Sequence, residues 1–100
     1  MTYPTDRPAT WFVTGTSRGL GLALVRHLLH RGDHVAATTR STSRLLTALD
    51  GAPTGGLLHL EVELTDEDSV QAAVEATVAR FGSIDVVVDN AGYGYLGAVE

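Results

Sequence analysis

The strongest constraint in the chain is Thr14-Gly15-Thr16-Ser17-Arg18-Gly19-Leu20-Gly21. Three glycines fall within seven residues, after a short apolar run and before a helical pattern. A chain that leaves a strand and enters a helix through so tight a turn must often take positive φ, which glycine does at little cost. Without Cβ atoms the backbone N–H groups lie bare, and the dipole of the following helix favours an anion beside them. Ser17 can add a hydroxyl donor there and Arg18 a positive charge. The spacing is neither G-x-G-x-x-G nor the G-K-[ST] of a P-loop.

The rest of the chain repeats this alternation. "TWFVT" (10–14) reads as a buried strand. Apolar residues at Leu20, Ala23, Leu24 and Leu28, with Val25 and Leu29 to one side, predict a helix over 18–31 that ends at Gly32. "HVAATT" (34–39) is a second strand, and a short helix is expected near 43–49. "LLHLEV" (57–62) is a third strand. A helix capped by Thr65 or Asp66 follows, with Val70, Val74 and Val78 on one face and Gly82 at its end. "IDVVVD" (84–89) is a fourth strand and "NAGYGYLG" a glycine-rich loop. Residues 1–9 are expected as a flexible lead-in.

Near-continuous apolar strands separated by helices pair in parallel with both faces covered. Right-handed crossovers then give an α/β, doubly wound parallel sheet in spatial order 3-2-1-4. Its ligand belongs outside the carboxyl ends of strands 1 and 4, where the two glycine-rich turns converge.

Composition excludes several alternatives. A formal net charge of -5 argues against a nucleic-acid partner. No apolar run reaches the ~18–20 residues needed to cross a bilayer, and the polar N-terminus lacks a signal core. Cysteine is absent, so disulfides and cysteine–metal sites are excluded. A cytoplasmic protein is the default expectation. All seven basic residues are arginine.

With T-G-x-x-x-G-x-G after the first strand and Asp89-Asn90-Ala91-Gly92 after the fourth, the sequence resembles the short-chain dehydrogenase/reductase family, whose second signature is N-N-A-G. The resemblance runs from about Trp11 to Glu100. It implies a Rossmann-like sheet and an oxidoreductase moving a hydride between a nicotinamide cofactor and a carbonyl or alcohol substrate. By that resemblance Gly15, Ser17, Arg18, Gly19, Leu20 and Gly21 surround the cofactor pyrophosphate and adjoining ribose. Asn90, Ala91 and Gly92 pack along the cofactor, and Asn90 also suits a tie from strand 4 to neighbouring backbone. The family often has Asn at the position of Asp89. The Asp removes a donor and adds a negative charge.

The residue ending strand 2 separates NAD from NADP, since an acid there accepts from the ribose 2′-OH and repels a 2′-phosphate. Here Thr39 stands in that place and Arg40 follows it. In the family, a basic residue at Arg18 or Arg40 goes with NADP, so NADP is expected over NAD. The other reading of both arginines is that they face water. Glu63-Leu64 matches the acid-plus-apolar pair that the family places at the adenine, Glu63 accepting from the amino group and the Leu64 N–H donating to the ring. A plain surface acid is the alternative for Glu63.

The resemblance also implies a Ser/Tyr/Lys catalytic set with Tyr-x-x-x-Lys, and the chain holds none of it. Tyr93 has Gly97 four residues on, and lysine is absent. Tyr93 and Tyr95 read as loop or wall residues. His27 and His30 are expected to face solvent, and His34 and His59 to be structural. Asp66, Glu67 and Asp68 read as favourable charge at a helix N-terminus. Residues 1–100 are therefore expected to be a partial dinucleotide-binding domain, inactive and unstable alone, of a parent whose missing helices make homo-oligomer contacts. A non-catalytic NAD(P)-binding sensor, or a doubly wound domain for another phosphate ligand, stays open on the sequence.

Overall fold

Four short apolar runs separated by helical segments leave little choice but parallel pairing, and the computed structural model has it. It describes residues 7–16 and 19–90. The order is β1 (Thr10–Val13), α1 (Gly19–Arg31), β2 (His34–Thr39), α2 (Thr42–Ala48), β3 (Leu57–Glu61), α3 (Glu67–Phe81) and β4 (Val86–Val88). All pairings are parallel and the sheet order is β3-β2-β1-β4. The register sets Phe12 beside Ala36 and Val87, and Thr39 beside Glu61.

Because strand side chains alternate between faces, the sheet carries two cores. On one face Val13, Val35, Ala37 and Leu57 pack with Val25, Leu28 and Leu29 of α1 and Leu45 of α2. On the other, Phe12, Ala36 and Val62 pack with Ala73 of α3, flanked by Val70 and Val74. Each fully buried Val or Leu contributes roughly 1.5–3 kcal/mol.

Two helices turn differently from their sequence pattern. In α1 the buried set is Gly21, Val25, Leu28 and Leu29, while Leu20 is 75% exposed and Ala23 also faces out. The cause lies at Gly21. A Cβ there would stand 2.5 Å from Asn90 Nδ2 and still closer to the Gly15 carbonyl oxygen. The helix therefore lays its bare backbone against that turn, and positions four and seven residues on follow inward. In α3, Val78 stays 43% exposed and Thr77 is buried instead. The Thr77 hydroxyl donates to the Ala73 carbonyl at 2.7 Å, which lets a polar side chain occupy the core face. Asp66 is the N-cap of α3, its carboxylate accepting from the Asp68 N–H, and Gly82 closes the helix.

The amino-terminal edge of the sheet is fastened by two aspartates. Asp85 receives two hydrogen bonds from the Arg7 guanidinium, both 2.9 Å, and one from the Thr10 N–H at 2.8 Å. Asp33 accepts from the Ala9 N–H and from Trp11 Nε1. Ala9, within the expected lead-in, is 1% exposed, so residues 7–9 are tied to the sheet. Residues 1–6 lie outside the described residues. His34 stacks on Phe81 at 4.6 Å between ring centroids, a structural place as expected.

Candidate functional site

The carboxyl ends of the strands hold the candidate residues, and polar links join the ends of β1 and β4 there. The Thr14 N–H donates to the Val88 carbonyl at 3.0 Å. The Thr14 hydroxyl donates to Asp89 Oδ1 at 3.1 Å. Asn90 Nδ2 donates to the Gly15 carbonyl at 2.9 Å. Asn90 thus ties the end of strand 4 to the glycine turn. Asp89 serves as an acceptor for Thr14, a role a carboxylate fills as well as an amide oxygen does.

The glycine turn is held from the other side by Thr16. Its N–H and its hydroxyl both point to the Thr38 carbonyl of β2, at 3.3 and 3.0 Å, and the residue is fully buried. Gly15 and Gly19 have φ of 66° and 65°, the left-handed region that a side chain disfavours. A Cβ at Gly19 would meet nothing within 4 Å, so this part of the turn faces open space. The turn therefore combines left-handed backbone, an α1 N-terminus and an unfilled approach, as a phosphate cradle requires. Exposed Leu20 stands in the first turn of that helix. Ser17, Arg18, Ala91 and Gly92 lie outside the described residues, as do Tyr93 and Tyr95.

A second feature opens at the neighbouring strand ends. A crevice of about 600 Å³ is lined by Arg40, Glu61, Val62, Glu63 and Ser69. Arg40 follows β2 in a turn fixed by Thr39, whose hydroxyl donates to the Ser41 carbonyl at 3.2 Å and accepts from the Ser41 N–H at 3.0 Å. Ser41 then caps α2 by accepting from the Arg44 N–H. The Arg40 side chain is exposed and makes no ion pair among the described residues. Glu63 Oε1 accepts from the Thr65 hydroxyl at 3.2 Å, and the Glu63 N–H donates to Ser69 Oγ at 3.2 Å. Leu64 is 42% exposed beside it.

The structure thus brings Gly15, Gly21 and Asn90 into one cluster, and Arg40 and Glu63 into one crevice. Thr16, Glu61 and Ser69 were not foreseen. Glu61 could have been found from strand register, because it pairs with Thr39 at the end of β3. His27 and His30 are exposed on α1, and no group of three metal-ligating side chains exists among the described residues. No described helix is long and apolar enough to cross a membrane.

Comparison with known proteins agrees with this geometry. The family model described as short chain dehydrogenase matches residues 9–100. Oxidoreductase BOA17 of Botryotinia fuckeliana is 41% identical over 90 residues, covering 90% of this chain and 33% of the relative. The chain spans about a third of the length of the curated relatives it matches. Among solved structures, a short-chain dehydrogenase from Streptomyces avermitilis superposes with a TM-score of 0.72 at 28% identity, covering 81% of this chain and 30% of that one. An alcohol dehydrogenase from Thermococcus sibiricus, complexed with 5-hydroxy-NADP, also gives 0.72 at 28% identity, covering 81% of this chain and 36% of its own.

Proposed function

Since the chain belongs to the short-chain dehydrogenase family, we propose that it is the cofactor-binding portion of an NADP(H)-dependent oxidoreductase acting on a small carbonyl or alcohol. The observation that carries this reading is the glycine turn clasped by Asn90, with Arg40 one strand away and no acid in the place of Thr39. The left-handed turn and its open approach suit a pyrophosphate, so the residues present fit a dinucleotide.

In this reading Gly15, Gly19, Leu20 and Gly21 hold the pyrophosphate and adjoining ribose through backbone donors and the α1 dipole. Ser17 and Arg18 add a hydroxyl and a charge, and, as the family resemblance implies, Asn90, Ala91 and Gly92 pack along the cofactor beside this loop. Arg40 takes the 2′-phosphate through charge-assisted hydrogen bonds, to which a guanidinium is suited. Glu63 and Leu64 border the adenine. The cofactor, when bound, supplies or accepts the hydride. The residues named here bind and orient it.

The test is a titration of the intact protein with NADPH, NADH and ATP. The reading expects the tightest binding for NADPH. Preference for ATP, or no binding of any of the three, overturns it. Arg40→Asp should weaken NADPH by roughly 10- to 100-fold, the range for one lost charged hydrogen bond, with NADH little changed. Unchanged discrimination would remove Arg40 as the selector.

A further inference from the structure

The crevice beside Arg40 is not uniformly positive. Its lining holds one guanidinium and two carboxylates, Glu61 and Glu63. The two acids differ in their commitments. Glu63 Oε1 accepts from the Thr65 hydroxyl. Glu61 is exposed and forms no ion pair or side-chain hydrogen bond among the described residues. Its place is nonetheless fixed, because it is the register partner of Thr39, the residue before Arg40. The Val62 N–H locks the two strand ends level by donating to the Thr39 carbonyl at 2.9 Å. Strand pairing therefore delivers an uncommitted carboxylate to the crevice that Arg40 lines.

We propose that Glu61 is a specificity-determining residue that tempers the attraction of this crevice for a 2′-phosphate, acting as a counterweight to Arg40. The inference rests on the dinucleotide reading above. A phosphate entering here meets Arg40 within a lining whose charges sum to -1. Neutralising Glu61 leaves one positive and one negative group, and the phosphate is held more tightly. At exposed, water-screened sites each such pair of charges is worth roughly 1.5- to fivefold in affinity. Glu61 touches neither the glycine turn nor the Asn90 clasp, so binding of the unphosphorylated nucleotide does not depend on it.

The experiment measures dissociation constants of the intact protein and of Glu61→Gln for AMP and for 2′-phosphorylated AMP, at low and high salt. Melting curves confirm that the exposed, nearly isosteric substitution leaves the fold in place. The expected result is a gain of about 1.5- to fivefold for the 2′-phosphorylated probe, none for AMP, and a gain that shrinks as salt screens the charges. Equal changes for both probes, or no change for either, overturn the role of Glu61 while leaving the dinucleotide site standing. If the wild-type protein binds neither probe and no nicotinamide dinucleotide, the reading of the site itself falls, and this inference with it.

Discussion

Gly21 is where the chemistry of one residue decides both the site and the packing of a helix. Its missing Cβ is what lets the Gly15 carbonyl and the Asn90 amide lie against α1. The adjoining glycines are needed for backbone conformation, whereas Gly21 is needed for space. Gly21→Ala should therefore cost about 1–3 kcal/mol, the usual penalty of forcing extra volume into a packed place, read from denaturant unfolding. On the proposed dinucleotide reading it should also weaken NADPH binding, because the Asn90 bond to Gly15 cannot survive in its present position. A variant as stable as the parent, with unchanged binding, would show that the turn yields freely. That this residue sits on the buried stripe of α1 was not legible in the sequence. By spacing, Leu20 and Ala23 share the core face with Leu24 and Leu28. The close approach through Gly21 turns the first two outward, while Leu24 stays half-buried against the core and Leu28 is fully buried.

At the scale of elements, most of the architecture was legible because strand runs and helix stops are local signals. The sheet order followed from the connections, and the helix ends at Gly32 and Gly82 from the chain itself. What was not legible needed two elements at once. Thr77 is buried because it can return its hydroxyl to Ala73, and Glu61 meets the crevice because β3 pairs with β2 in one register. The amino-terminal edge is a third such case. Arg7 and Asp85 are 78 residues apart in sequence and form a two-pronged ion pair. The Arg7 guanidinium first, then the Thr10 N–H, hold the Asp85 carboxyl below its ordinary value, against a smaller opposing effect of burial. A carboxylate whose value is depressed on folding stabilises the fold fully above the ordinary carboxylate range, and loses that contribution as pH falls through the lowered value. Melting temperatures of the parent and of Asp85→Asn should thus differ at neutral pH and converge in acid. A difference that stays constant down to low pH would mean the ion pair adds nothing.

For the molecule as a whole, the sheet is covered unevenly. α3 lies over β1, β2 and β3, and β4 forms the outer strand of the described sheet. Val87, on the α3 side beside Phe12, is 65% exposed. Among the described residues the outer edge of β4 is unpaired, and an unpaired strand edge with an apolar face beside it is a template for pairing with another chain. A polypeptide of these 100 residues should accordingly self-associate as its concentration rises. Val87→Lys should shift it toward monomer in sedimentation velocity. Equal behaviour of the two would place the tendency elsewhere. The candidate site was legible only in part at this scale. The sequence marked both glycine-rich turns and Arg40, but the mixed charge around Arg40 exists only once three elements converge.

The bond from Asn90 to Gly15 spans 75 residues, and this gives the cradle a history as well as a shape. Its glycines are made well before the amide that clasps them. Contacts so distant in sequence form late, since the long loop between them must close first. During synthesis the turn therefore stays an unlatched loop until the fourth strand has been added, and on the dinucleotide reading a nascent chain has no finished seat for its ligand before then.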